Sequence, residues 1–233
     1  MTYTTIIPGS KDKTIDFAVK DWLDCARVAI EKKGRAYIAL SGGSTPKAIY
    51  QKFKKQDLDW SKVELYFSDE RVVPINDPQS NFKMAWEAGF KNLVLPRQIH
   101  AMYKGGKIDE AASKYEETLP ERFDLIMLGM GNDAHIASLF PQTHALNTQG
   151  DRVVANYLPE KEVWRITFTY EELEQTDRLN IYVLGEDKAE ILKSVIDSPY
   201  DYTKYPIQRV LKLPTQVNLI LDERAASMIN SSS

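Results

Sequence analysis

The chain has 233 residues, of which 43% are hydrophobic and 27% are charged, and its net charge at pH 7 is −3. These values are typical of a globular protein with a substantial core, and they exclude a disordered chain. The small negative charge excludes a general attraction to nucleic acid, so an anionic ligand would need locally placed cations. The single cysteine, Cys25, excludes an internal disulfide and a cysteine-based zinc site.

No apolar run approaches the ~20 residues that cross a bilayer. The first eight residues also lack the basic start and the apolar core of a signal peptide. We therefore expect a cytoplasmic protein with neither a membrane nor a nucleic acid as partner. No linker rich in proline, glycine or serine interrupts the chain, which predicts one domain over residues 1–233, with a frayed tail at 230–233.

Helical and extended patterns alternate along the chain. Helices are predicted at 12–33, from Pro46 after a cap at Thr45, at 81–90 after a cap at Ser80 or Asn81, and at 109–118, 136–139 and 188–196. Strands are predicted at 36–40, 63–67, 123–128, 164–169, 179–184 and 217–221. This alternation predicts an α/β fold with a mainly parallel, Rossmann-like sheet and helices on both faces. Ligands of such sheets bind beyond the carboxyl ends of the strands.

The first loop at such a strand end contains only small residues. It reads Ser41, Gly42, Gly43, Ser44 and Thr45, and a helix is predicted to follow it. Two glycines let a ligand approach the backbone, and the helix N-terminus offers unpaired N–H groups to a phosphate. The same residues are equally typical of an ordinary turn with a helix cap, and the pattern alone leaves both interpretations open.

A charged segment follows the next strand. Arg71 can form a two-pronged contact with phosphate from this position. Asp69 and Glu70 can position water, bind a sugar hydroxyl or simply pair with Arg71, and the residues leave these alternatives open.

Two further cations complete the candidate binding set. Arg165 lies near the start of a predicted strand, and Lys188 lies in a strand-to-helix turn. A lysine at a helix N-terminus opposes the helix dipole, which favours a ligand-binding role for Lys188 over a solvated one.

A histidine follows the central strand in a glycine-containing turn. His135 differs in this respect from His100 and His144, which we expect to be surface or packing residues. A neutral imidazole can take a proton from water near pH 7, and Asp133 could orient it and stabilise its charged form. The alternative is a capping aspartate beside a packed or exposed histidine, and local sequence weighs the two equally.

These segments resemble the glucosamine-6-phosphate isomerase/6-phosphogluconolactonase superfamily over essentially the whole chain. The resemblance rests on three motifs: Leu40-Ser-Gly-Gly-Ser-Thr-Pro46; Ser68-Asp-Glu-Arg-Val-Val-Pro74 followed by Ser80-Asn81; and Leu128-Gly-Met-Gly-Asn-Asp-Ala-His-Ile-Ala-Ser-Leu-Phe-Pro141. Arg71 and the ending at 137–141 are similar to the lactonase branch. The deaminase branch usually has tyrosine at the first position and Phe-Asn-Glu-Pro at the second.

The resemblance implies hydrolysis of 6-phospho-D-glucono-1,5-lactone in the pentose phosphate pathway, without a metal or an organic cofactor. It places the general base at His135. It also implies that the 41–45 loop, Arg71, Arg165 and Lys188 meet the substrate and its phosphate, without saying which cation faces the phosphate. Two alternatives remain: a deaminase-isomerase with Asp69 as its base, and a sugar-phosphate-binding protein of weak activity.

Three positions depart from the family's usual residues. Ala134 stands where the family has glycine before the histidine, Trp164 stands where proline precedes the matched arginine, and Gln142 stands where glycine follows Phe-Pro. If position 134 needs a positive φ, alanine costs about 1–2 kcal/mol there. We expect this strain to reduce efficiency rather than to change the fold.

Overall fold

The computed structural model describes residues 3–229. Its strands are β1 (Tyr3–Gly9), β2 (Ala36–Leu40), β3 (Val63–Phe67), β4 (Asp69–Arg71), β5 (Leu125–Gly129), β6 (Val153–Leu158), β7 (Val163–Phe168), β8 (Arg178–Val183) and β9 (Gln216–Asp222). Its α-helices are α1 (Lys11–Lys33), α2 (Ser44–Lys52), α3 (Asn81–Ala88), α4 (Ile108–Glu116), α5 (Tyr170–Glu174), α6 (Ala189–Asp197) and α7 (Ile207–Val210).

Six strands form a parallel sheet in the order β1-β9-β8-β5-β2-β3. Apolar side chains leave both faces of β5, because successive residues of a strand point in opposite directions. Leu125 and Met127 join a hydrophobic cluster with α1, α2 and α3. Ile126 and Leu128 join the cluster on the other face, which includes residues of α4 and α6. The predicted α/β fold, with helices on both faces, is confirmed.

The predicted strand at 164–169 exists, but it does not belong to the parallel sheet. It is β7, which lies antiparallel between β4 and β6 in a three-stranded sheet. Its carboxyl end is therefore not at the binding edge, where the parallel pattern placed it. The spacing of apolar residues in a strand indicates its length and its buried face, but not the strand with which it pairs. Strand β6, which pairs with β7 through a short hairpin, was not predicted.

Two local predictions near the expected site are wrong. Helix α2 begins at Ser44 after Gly43, so Thr45 lies inside the helix and does not cap it. No helix forms at 136–139; instead, Ile136 makes single antiparallel bridges to Met130 and Leu139. The apolar side chains of Ile136 and Leu139 are buried, but they are buried within a loop and not on one face of a helix. By contrast, the Ser80 cap is confirmed, since its side chain accepts a hydrogen bond from the Lys83 amide.

Two expectations concern the ends of the chain and membranes. The tail at 230–233 lies outside the described residues. Among residues 3–229, every helix is too short or too polar to cross a bilayer.

Candidate active site

An open cavity of about 420 Å³ lies at the carboxyl edge of the parallel sheet. The loops that follow β2, β5 and β8 line it, together with β4 and the first residue of α1. Its polar and glycine lining consists of Lys11, Ser41, Gly42, Gly43, Ser44, Thr45, Asp69, Arg71, Asn81, Gly129, Gly131, His135, Gly185, Asp187 and Lys188. This volume is suited to a small ligand.

The 41–45 loop presents unused hydrogen-bond donors to the cavity. Among the described residues, the amides of Gly42, Gly43, Ser44 and Thr45 donate no hydrogen bond. They surround the N-terminus of α2, where amide groups and the helix dipole favour an anion. Gly42 must be glycine because a Cβ there would overlap the side-chain amide of Asn81.

His135 lies in a tight turn directly after β5. The Ala134 amide donates to the Gly131 carbonyl (3.0 Å), and the Gly131 amide donates to the His135 carbonyl (3.0 Å). The ring rests against Gly131, where a Cβ would overlap it. Ala134 adopts a φ of 61°, so alanine occupies the left-handed region as expected for this position. The turn thereby delivers an imidazole to the cavity wall.

Asp133 contacts Nδ1 of His135 and does not itself line the cavity. Burial raises the pKa of Asp133, but the hydrogen bond and the charge of His135 outweigh it and lower the pKa to about 2. The carboxylate is therefore ionised at neutral pH. Since Nδ1 is occupied, Nε2 is the ring nitrogen that remains available.

The two carboxylates of β4 have different surroundings. Asp69 lines the cavity, and its Oδ2 accepts a hydrogen bond from Ser138 Oγ (2.6 Å) while Asn81 donates to its Oδ1 (3.3 Å). Glu70 points away and accepts hydrogen bonds from the amides of Asn81 (2.7 Å) and Phe82 (2.8 Å) at the start of α3. Glu70 is thus structural, and burial raises its pKa.

Arg71 and Arg165 lie opposite each other in the pairing of β4 with β7. Arg71 lines the cavity, whereas Arg165 stands beside it, outside the lining. Burial and the positive charge of Arg71 lower the pKa of Arg165. The carboxylates of Asp69 and Glu70 partly offset this effect. The guanidinium of Arg71 lines the cavity, where it can contact a negatively charged ligand.

Two lysines face the same cavity from other elements. Lys188 follows β8 and donates to Oδ1 of Asn132, a neutral partner. Lys11, which the sequence reasoning missed, is the first residue of α1 and has no hydrogen bond or ion pair among the described residues. The only signal for Lys11 was a lysine directly before the predicted helix at 12–33, at the end where a positive charge opposes the dipole.

The structure thus brings together most of the predicted residues: the 41–45 loop, Asp69, Arg71, His135 and Lys188 line one cavity. Asp133 and Arg165 do not line the cavity, but each contacts or lies next to a residue that does. Asn81 is a lining residue that the sequence predicted as a possible helix cap and as part of a motif, but not as a binding residue. Among residues 3–229, no group of three or more histidine, cysteine or carboxylate side chains is arranged to hold a metal ion.

A second cavity of about 550 Å³ lies between α4 and β6. Four carboxylates, from Asp109, Glu116, Glu117 and Asp151, line it. Its one guanidinium, from Arg152, is already paired with the buried Glu172. This larger cavity is therefore unsuited to a phosphate, and the chemistry of the lining favours the cavity around His135.

Comparison with known proteins agrees with this geometry. The family described as glucosamine-6-phosphate isomerases/6-phosphogluconolactonase matches residues 9–221. A 6-phosphogluconolactonase of Chlamydia pneumoniae is 40% identical over 206 residues, which are 84% of this chain and 79% of that protein. A 6-phosphogluconolactonase of Nostoc sp. is 35% identical over 217 residues, 87% of this chain and 88% of that protein.

A solved structure described as devB protein has the same fold, with a TM-score of 0.87 and 28% identity over 99% of this chain and 100% of that one. The family match includes every residue that lines the cavity. The chain therefore belongs to the glucosamine-6-phosphate isomerase/6-phosphogluconolactonase family.

Proposed function

We propose that this chain hydrolyses 6-phospho-D-glucono-1,5-lactone to 6-phospho-D-gluconate, a step of the pentose phosphate pathway. One observation carries the proposal: a histidine paired with an ionised aspartate faces the same cavity as the unused amides of α2. The relatives that share most of the chain carry the name of this lactonase. A free phosphosugar lactone as partner and a cytoplasmic location are parts of the proposal.

His135 acts as the general base. A water molecule near Nε2 loses a proton to the imidazole as its oxygen bonds to C1 of the lactone. Asp133 at Nδ1 holds the ring and stabilises the imidazolium that forms. The C1–O5 bond then breaks, and the imidazolium returns the proton to O5. The free acid ionises to the carboxylate, so the atoms and charges balance.

The cations and the 41–45 loop hold the substrate. The phosphate lies at the N-terminus of α2, where the amides of Gly42–Thr45 are free to donate, and Lys188 supplies charge from the neighbouring loop. Arg71 faces the negative charge that develops at the lactone carbonyl, and Arg165 adds positive charge from the paired position on β7. Anchoring the phosphate keeps C1 near the base, which supplies much of the rate.

Asp69 is a less suitable base than His135, whose ring is paired with the Asp133 carboxylate. Both oxygens of Asp69 already accept hydrogen bonds, from Ser138 and Asn81, and the side chain is buried. No described feature favours the deaminase-isomerase alternative over the lactonase. We also infer that the chain acts as one domain, because the hydrophobic cluster of the parallel sheet includes Ile166 and Phe168 of β7.

The decisive test is hydrolysis of freshly generated 6-phosphogluconolactone, with the product coupled to 6-phosphogluconate dehydrogenase and the spontaneous rate subtracted. We expect acceleration by the purified protein and a loss of about 1,000-fold in kcat for His135→Gln. His144→Gln is the matched control, because His144 is exposed and lines the other cavity. A folded protein without acceleration would contradict the proposal. Assays with glucosamine 6-phosphate and binding of 6-phosphogluconate would then separate the deaminase from a binding protein.

A further inference from the structure

Phe140 is a buried aromatic residue that stands apart from the core. It belongs to neither of the two hydrophobic clusters formed by the described residues, although its neighbour Leu139 lies in one of them. Phe140 also does not line the cavity. Its burial must therefore come from other side chains, and those partners indicate what it does.

The two faces of the Phe140 ring are covered by His135 and Lys161. The imidazole stacks on the ring with a centroid distance of 3.9 Å and an interplanar angle of 16°. The ammonium of Lys161 lies 4.5 Å from the centroid of the ring. Since a stacked imidazole fills one face, the ammonium occupies the opposite one. The three side chains form a stack in the order Lys161, Phe140, His135.

Two elements supply the three members of the stack: the loop after β5 supplies His135 and Phe140, and the β6–β7 hairpin supplies Lys161. His135 belongs to the turn after β5, and the carbonyl of Phe140 is held by a hydrogen bond from Thr143 Oγ1 (2.8 Å). Lys161 ends a short helical turn, and Glu162, with a φ of 50°, then leads the chain into β7. The hairpin that carries Lys161 is bonded to the same loop, because Asn156 of β6 donates a hydrogen bond to the Ser138 carbonyl (2.8 Å).

The stack restricts a tilt of the His135 ring that the contact with Asp133 leaves free. One hydrogen bond, from Nδ1 of His135 to Asp133, fixes one atom of the ring but lets the plane tilt about that contact. The flat face of Phe140 fixes the plane. Together the two contacts determine where Nε2 points. Displacement of a reacting group by about 1 Å can cost about 100-fold in rate.

We propose that Phe140 and Lys161 are positioning residues for His135. Phe140 holds the imidazole plane so that Nε2 faces the cavity, and Lys161 keeps Phe140 in place by a cation–π contact on its outer face. Neither residue touches the substrate. The inference rests on the proposed role of His135 as the general base, and it adds two residues, one of them on the hairpin of the smaller sheet.

Steady-state kinetics provide the first test. Phe140→Leu keeps an apolar side chain but loses the flat ring, and we expect kcat to fall at least about tenfold with KM changed less than about twofold. Phe140→Tyr keeps the ring and should restore kcat. Lys161→Met keeps the apolar stem but loses the charge, and kcat should fall about two- to fivefold, with rescue by Lys161→Arg. Equal loss in the leucine and tyrosine variants would overturn the proposal.

Proton NMR of the imidazoles provides a readout that does not depend on turnover. The chain has three histidines, so His135→Gln assigns the resonance of His135. Stacking on Phe140 shifts that resonance upfield by ring current, and Phe140→Leu should return it downfield. His100, which stacks on Tyr66 at 4.3 Å and 11°, is the internal control and should not move.

The two measurements separate failure of this inference from failure of the proposed function. If the wild-type protein showed no lactonase activity, the shift of the His135 resonance would still decide whether Phe140 holds the ring. An unmoved His135 resonance in Phe140→Leu contradicts the proposal. Movement of the His100 resonance as well would indicate general loosening and would also contradict it. If Phe140→Leu fails to fold, Lys161→Met and Phe140→Tyr carry the test.

Discussion

Two of the loops that line the cavity are held in different ways. The 41–45 loop runs from β2 directly into α2, and its main tie is Tyr50, whose hydroxyl bonds both the amide and the carbonyl of Ser41. The 130–142 loop contains no helix and is tied to distant elements. The Ala134 carbonyl accepts from the Ile207 amide (3.2 Å), and the Gln142 amide donates to the Thr203 carbonyl (3.1 Å).

The backbone conformations differ in the same way. In the 41–45 loop, the residue with positive φ is a glycine, Gly43. In the 130–142 loop, Ala134, Ala137 and Gln142 have φ values of 61°, 50° and 57°. Alanine and glutamine hold such a conformation only where tertiary bonds compensate for the cost. The loop that presents unused amides at the start of α2 can thus be built locally, whereas the loop that presents His135 depends on its neighbours.

Adding a methyl group to each loop should give the largest effects. We expect the change in one loop to act mainly on kcat and the change in the other to act mainly on KM. Gly131→Ala places a Cβ against the ring of His135, so we expect kcat to fall about 100-fold with little change in KM. Gly42→Ala places a Cβ against Asn81 and displaces the phosphate-binding amides, so KM should rise more than kcat falls. Steady-state kinetics of both variants would check this, and the same pattern in both would contradict the division of roles.

Removing a charge near the 41–45 loop should give a smaller effect, confined to phosphorylated substrate. We expect Lys11→Gln to raise KM for the phosphorylated lactone about tenfold, because an unpaired ammonium loses its contact with the phosphate. Hydrolysis of unphosphorylated glucono-1,5-lactone should be unchanged. Lys13→Gln is the matched control, since Lys13 lies in the same turn of α1, is also exposed and does not line the cavity. A loss with both lactones would show that Lys11 does not bind the phosphate.

Glycine substitutions in the 130–142 loop should show, through the free energy of unfolding, which of its left-handed residues are strained. Gln142 is exposed, so Gln142→Gly relieves the left-handed strain and should raise the free energy of unfolding by about 1 kcal/mol. Ala134 is fully buried, so Ala134→Gly also loses a packed methyl group, worth about 0.8 kcal/mol, and should change stability little. Urea denaturation measures both. Destabilisation of the protein by Gln142→Gly would mean that position 142 is not strained.

The smallest expected effect is the pH dependence of the Asp133 contact. The pKa of Asp133 is lowered to about 2, below its value of 3.8 in an unfolded chain, so the contact stabilises the protein above about pH 4. That contribution decreases as the pH falls from about 4 towards 2. The carboxylate is 43% exposed, so solvent screens it and the effect is modest. The stability difference between wild type and Asp133→Asn should shrink from pH 5 to pH 3; a constant difference would contradict this.

Much of the fold and part of the site could be predicted from the sequence, for local reasons. Helix α1 ends before Gly34 and α3 is capped by Ser80, because caps depend on residues a few positions apart. Five of the six strands of the parallel sheet were predicted because buried strands form continuous apolar runs. The edge strand β1 was not predicted, since its residues are only partly buried and form no such run. The cap at Thr45 and the helix at 136–139 were wrong, because the same local signals are compatible with another structure when tertiary contacts compete.

The sequence by itself determined the α/β fold class, and it placed the small residues of the 41–45 loop at the start of a helix and Asp133 within the same turn as His135. Each of these features depends on residues that are neighbours along the chain. Only the tertiary structure placed β7 in a second sheet beside β4, brought Lys11 into the cavity and stacked Phe140 between His135 and Lys161. The physical reason is that the pairing of β4 with β7, the approach of Lys11 to the cavity and the contact of Lys161 with Phe140 each join residues far apart in the chain. Their free energy depends on the packing of whole elements, which local propensity does not contain.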